Sequence, residues 1–144
     1  LKMNISTQID AEAIMIEAIN AANAAGEDKL RQLMGEGPQF DVRNGERVVG
    51  HMLDVCGGAW VKIQDGRSPL ISALKKIGVK DGSGSYKAQD YSWWISKAHG
   101  TGYNLNIRTQ INRQEMSVNV AIANAVVTVL AIHGFSSGVH SYVD

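Results

Sequence analysis

The segment Tyr103-Asn104-Leu105-Asn106-Ile107-Arg108-Thr109-Gln110-Ile111 decides the fold class. Tyr103, Leu105, Ile107 and Ile111 fall on one side of an extended chain, and Asn104, Asn106, Arg108 and Gln110 on the other. Such period-two alternation marks a strand with one face buried and one face open. Directly after it, Asn112 and Glu115 stand at capping-box spacing and open a predicted helix over 112–134, stopped by Gly134. From Val118 to Ile132 that helix is apolar nearly all round, broken by Asn119, Asn124 and Thr128. Its apolar run is shorter than the ~20 residues that cross a bilayer, so it reads as a long buried helix and no membrane contact is expected. The alternation of Val118, Val120 and Ile122 leaves open a start as a strand.

Upstream, a strand is predicted over Tyr86–Ala98, with Tyr91, Trp93 and Ile95 in the core, turning at His99-Gly100-Thr101-Gly102. Ser68-Pro69 supplies an N-cap and a proline at the first helical position. Leu70, Ile71, Leu74 and Ile77 then make one apolar stripe, and Gly78 ends a short middle helix over 69–77. Ala59–Ile63 alternates Ala59, Val61 and Ile63 against Trp60 and Lys62, with a bulge or bend expected at Cys56-Gly57-Gly58. Asn44-Gly45 is a hairpin signal between strands Phe40–Arg43 and Glu46–Val55, since both residues tolerate positive φ.

The N-terminal segment 1–35 reads as helical. One helix is predicted over Ile9–Ala25, capped by Ser6 or Thr7 and stopped by Gly26, with a shorter one over Glu27–Met34. Ile9, Met15, Ile16 and Ile19 share an arc that excludes Ile14, and alanines cover much of the rest. A helix so small and apolar suits packing within the domain or docking on a second subunit. Residues 135–144 read as a closing strand or a tail. Together the elements make one α+β domain over 1–144, with a mostly antiparallel sheet over 38–111.

The 144 residues are 44% hydrophobic with 15 Gly and 2 Pro, which excludes a disordered or collagen-like chain. The single cysteine, Cys56, excludes an internal disulfide framework and fits a reducing compartment. No basic-then-apolar leader is seen, so a cytoplasmic location is expected. The formal net charge is zero but unevenly spread: residues 62–113 hold nine basic and three acidic residues, while 1–61 hold five and nine. The middle third attracts anions, either a ligand or the acidic third of a neighbouring copy.

Catalytic signatures are sparse. Gly82-Ser83-Gly84-Ser85 lacks Walker spacing and precedes a strand, so it reads as a connector whose amides can still meet an anion. His99-Gly100-Thr101 has the His-x-Thr form used by two-histidine phosphoesterases, but no second such element exists. His51, Asp54 and Cys56 alternate to opposite faces, a poor metal geometry, and no metal or cofactor is expected. Cys56 reads as a small apolar filler and His133 as a helix C-terminal cap.

The aromatic pattern says more. Trp94 stands alone among small and polar residues on the even face of its strand, and Trp60 shares a face with Lys62. If these strands are neighbours, one face carries Trp60, Trp94, Asn104, Asn106 and Arg108, with Lys87 and Arg113 near. Indole planes beside guanidinium and carboxamide groups suit a base-plus-phosphate ligand. The same tryptophans equally suit packing under a helix or in a subunit interface. Double-stranded RNA is not the expected partner, because the last helix opens without a lysine cluster.

Gly57-Gly58-Ala59-Trp60-Val61-Lys62-Ile63, followed by Ser68-Pro69-Leu70-Ile71-Ser72-Ala73-Leu74, resembles the Thoeris anti-defence sponge family. These are small phage proteins that sequester cyclic nucleotide signals of bacterial immunity. The resemblance covers roughly half of the chain and carries over no binding residue. It implies a multimer, in a bacterial or phage-infected cell, that holds a cyclic ADP-ribose-type or cyclic oligonucleotide ligand without cleaving it. Three functions are thus open. The leading one is a non-enzymatic homo-oligomer that binds a phosphorylated, nucleotide-like ligand through Trp60, Lys87, Trp94, Asn104, Asn106, Arg108 and Arg113. The second is a small enzyme acting on a phosphorylated or nucleotide-type substrate with His51, His99 and Asp54, and the third a structural or protein-interaction subunit.

Overall fold

A computed structural model describes residues 9–37 and 40–144. The caps expected at Ser6 or Thr7 lie outside them. The first helix, α1 (Ala11–Glu36), runs through Gly26. Asp10 caps it, its carboxylate accepting the Ala13 N–H at 3.0 Å. Gly26 is no stop because it lies where α1 meets the C-terminal helix. A Cβ there would stand 2.9 Å from Ile122 Cγ1. Ala18, Ala22 and Gly26 repeat every four residues along the buried face, so the helices approach through small residues. The expected arc is corrected accordingly: Ile14 is buried and Ile16 exposed.

Strands β1 (Phe40–Asn44) and β2 (Arg47–Met52) form a hairpin, as a two-stranded sheet of their own. Its turn is Gly45-Glu46, one residue later than expected, with φ +66° at Gly45 and Asn44 paired to Arg47. A β3 strand (Gly57–Ile63) follows, and the middle helix α2 (Pro69–Ile77) keeps its predicted bounds.

The strand predicted over Tyr86–Ala98 is two strands. After β4 (Val79–Lys80), β5 (Tyr86–Lys87) and β6 (Trp93–Lys97) pair antiparallel, Lys87 opposite Trp94. Asp90 breaks the run, its carboxylate accepting the Ser92 N–H at 3.1 Å and the Ser92 hydroxyl at 2.6 Å. Tyr91 consequently takes φ +60° and is 52% exposed, not in the core as its parity suggested. The alternating segment forms β7 (Tyr103–Ile107), shorter than the nine residues quoted above.

The long helix α3 (Met116–Ile132) starts four residues after Asn112. Its capping comes from elsewhere: Asp54 accepts the Ser117 N–H at 3.1 Å, and Glu115 turns its carboxylate to Arg113. Val118, Ala123, Val126, Val129 and Leu130 are buried, but Asn124, Thr128 and Ile132 are exposed, so the helix is buried on one side only. Residues 138–143 form the closing strand β8 (Gly138–Val143).

The fold is α+β, with an antiparallel six-stranded sheet in the order β4-β5-β6-β7-β3-β8. Val61, Ile63, Trp93, Ile95 and Leu105 share the core with Leu70, Ile71 and Leu74 of α2 and the buried faces of α1 and α3. All three helices therefore stack on one side of the sheet. The alternate residues of the same strands point the other way.

Candidate functional site

The side of the sheet away from the helices is built by parity. Trp94 and Ser96 of β6, Asn104 and Asn106 of β7, and Trp60 and Lys62 of β3 alternate with core residues. Register lines them up: Lys87 opposite Trp94, Trp94 opposite Asn106, and Trp60 opposite His140. The β3–β7 ladder stops at Val61–Leu105, so Trp60 and Asn106, next in register, border a gap. At ~4.8 Å per strand, Trp94 and Trp60 are rooted about 10 Å apart with Asn106 between them.

Beneath the gap lies a cavity of about 130 Å³, walled by Val61, Leu105, Ile107, Ile122 and Val126, with Trp60, Asn106, Thr109 and Asn119 also lining it. The Thr109 hydroxyl donates to the Ile111 carbonyl at 3.1 Å, and the Asn119 carboxamide to that of Gly57 at 2.8 Å. The Asn106 carboxamide has no such partner among the described residues. Its apolar floor with a few polar groups has the character of a small-molecule site, but its volume is below the ~300–1,000 Å³ usual for one.

Five of the seven sequence-selected residues, Trp60, Lys87, Trp94, Asn104 and Asn106, thus share this face. The Lys87 ammonium lies 5.0 Å from the Tyr91 ring centroid. Arg108 sits just past β7, its amide donating to the Ser92 carbonyl at 2.8 Å. Its charge helps hold the Asp90 carboxyl below the ordinary range, after the larger effect of the Ser92 hydrogen bonds.

Arg113 has a protein partner. It donates to Glu115 through Nε at 2.9 Å and Nη2 at 2.7 Å, and the Glu115 side chain is 2% exposed. This guanidinium balances a buried carboxylate and is not a spare cation for a phosphate. The Ser83 and Ser85 amides are taken in the same way. Asp81 accepts from the Ser83 and Ser85 N–H groups at 2.9 and 3.1 Å, placing a carboxylate where an anion would sit.

The acid–base candidates do not converge. Asp54 lies by the start of β3 and α3, whereas His99 is in the β6–β7 turn, beyond the other end of β3. Seven strand residues separate those ends, roughly 20 Å. The His51 side chain is outside the described residues. His133 does cap α3, and its Nε2 also lies 3.0 Å from Glu17 Oε1 on α1. Among the described residues no group of three His, Cys, Asp or Glu side chains is placed to hold a metal ion. No helix there is long and apolar enough to cross a membrane.

Three residues of the face escaped the sequence reading: Lys62 as part of a site, His140 and Tyr142. The Trp60 ring stacks on His140 at 5.6 Å and 19°, and meets Tyr142 at 6.0 Å and 44°. The available signal was the strand-like run Gly138–Val143, which fixes parity but not its neighbour. Compared with protein-family models, curated proteins and solved structures, the chain matches none.

Proposed function

We propose that the helix-free face of the six-stranded sheet binds a small phosphorylated, nucleotide-like ligand and holds it without transforming it. The observation that supports this most is the row Trp94–Asn106–Trp60 across three strands. It sets two partly exposed indoles on either side of an unpartnered carboxamide, above a cavity. Stacking on indole is worth ~1–3 kcal/mol per base and tolerates any base, while a carboxamide reads a base edge. Capture without turnover is in keeping with the separation of Asp54 from His99. It is also what the resemblance to the Thoeris anti-defence sponges implies, including a cyclic ADP-ribose-type or cyclic oligonucleotide signal. The homo-oligomeric part of the proposal rests on α1, which leaves Ile16 and Met34 exposed after docking on α3.

Calorimetry against a panel of linear and cyclic nucleotides, on wild type and Arg108→Ala, is the test. Mass spectrometry of the recovered ligand is run alongside. Saturable binding with ligand returned intact supports capture. Binding to no member of the panel ends the proposal, and a cleaved ligand replaces capture with catalysis.

A further inference from the structure

At the β8 end of the same sheet, Lys62, Gln64, Asp65, Ser136, Ser137 and His140 line a second cleft of about 410 Å³. That volume lies within the ~300–1,000 Å³ usual for small-molecule sites. We propose that this cleft is an anion site that takes a phosphate group of the ligand.

The donor set carries the inference. The Lys62 ammonium has no ion-pair partner among the described residues, unlike the guanidinium of Arg113. Ser137 Oγ is buried and has no hydrogen-bond partner there either. A buried hydroxyl left unsatisfied costs stability; Ser117 Oγ is a second such hydroxyl, outside the cleft, whereas Ser137 lines it. Ser136 and His140 add a hydroxyl and an imidazole. Asp65, the one carboxylate of the lining, is engaged with the Arg67 N–H at 2.9 Å. Lysine binds phosphate as a point charge, and hydroxyls and an imidazole N–H complete its oxygens.

The position of the cleft fits the rest of a nucleotide. Lys62 is two residues along β3 from Trp60, about 7 Å. His140 and Tyr142 meet the Trp60 indole from the β8 side. On the β7 side Trp60 and Asn106 border the gap in the ladder, which leaves the indole beside a carboxamide for a base. The placement of the base rests on the function proposed above; the phosphate site stands on its own donors.

The test is ¹H–¹⁵N NMR of the full chain titrated with inorganic phosphate, adenosine monophosphate and adenosine at matched ionic strength, with calorimetry of Lys62→Gln and Ser137→Ala. Phosphate and the monophosphate are expected to shift the amides of Lys62, Ser137 and Gly138; adenosine is not. Lys62→Gln should weaken monophosphate binding about tenfold or more, and Ser137→Ala about threefold to tenfold. Ser137→Ala should also melt no lower than wild type, because it removes an unpartnered group. Phosphate shifts that map to Lys87 or Arg108, or to nowhere, overturn the site, as does unchanged affinity in both variants. Phosphate bound here while adenosine and the monophosphate leave Trp60 and Trp94 untouched keeps this site and removes the nucleotide reading. Adenosine bound at the indoles with no response to phosphate does the reverse.

Discussion

Trp93 and Trp94 are neighbours in sequence on opposite sides of the sheet, so truncating each in turn separates the core from the proposed binding face. Trp93 is 4% exposed and Trp94 38%. For an aromatic side chain burying up to ~250 Å², that difference is ~85 Å², or about 2 kcal/mol at ~25 cal/mol per Å². Trp93→Ala also leaves a closed void beneath α2, raising its cost to about 3–5 kcal/mol. Trp94→Ala opens to solvent, leaves no closed void, and should cost about 1 kcal/mol. Urea unfolding followed by circular dichroism measures both, as shifts in midpoint at constant slope. Nucleotide affinity should move the other way. Trp94→Ala loses stacking worth ~1–3 kcal/mol, roughly 5- to 150-fold in Kd, whereas Trp93→Ala, where it folds, binds as wild type. Equal destabilisation by the two variants would refute the assignment of faces, and unchanged affinity in Trp94→Ala would refute the binding role.

Gly26→Ala should destabilise despite its better helix propensity. Its Cβ would sit 2.5 Å from Ile111 Cδ1 and 2.9 Å from Ile122 Cγ1, and overpacking of ~1–3 kcal/mol outweighs a propensity gain of ~0.5–1 kcal/mol. Gly35→Ala, with nothing within 4 Å, should keep or raise the melting temperature; the reverse order in a thermal melt contradicts the α1–α3 packing. Arg113→Ala strands the buried Glu115 carboxylate and should cost about 1.5–3 kcal/mol in denaturant unfolding, with nucleotide affinity in the surviving folded protein unchanged. Asp54→Ala removes the cap of α3 and should cost about 1 kcal/mol at neutral pH.

Acid should remove the Asp54 contribution. Contact with Ser117, whose N–H donates to it at 3.1 Å, holds the Asp54 carboxyl below its ordinary value, helped by the Val55 N–H and opposed by burial. Burial pushes Glu115 upward, but the hydrogen bonds and charge of Arg113 together with backbone hydrogen bonds outweigh it and leave it lowered too. Both pKa values are lower folded than unfolded, so the unfolded chain binds the protons first as pH falls. The stability they contribute is full above the ordinary carboxylate range and disappears as pH falls through and below ~4. A pH series of urea midpoints should show this acid loss in wild type and a shallower one in Asp54→Ala. Identical slopes would contradict it.

Much of the architecture was written in local pattern. The middle helix at 69–77 was legible because its cap, proline, stripe and closing glycine all act within a turn or two of themselves. The face shared by Trp60, Trp94, Asn104 and Asn106 was legible because strand parity needs only the sequence of each strand. Tyr86–Ala98 was misread because parity carries no warning of a turn whose own side chain, Asp90, makes the bend.

What the sequence by itself determined, then, was which side of each element is apolar, a property set by spacing along one segment. Tertiary structure alone decided what meets what. Gly26 is a point of helix contact because Ile122 lies opposite, α3 begins at Met116 because Asp54 arrives to cap it, and Arg113 is spent on Glu115. The cleft of Lys62, Ser137 and His140 exists because β8 returns to pair with β3. Contacts between residues tens of positions apart depend on the path of the whole chain, and no local periodicity encodes that path.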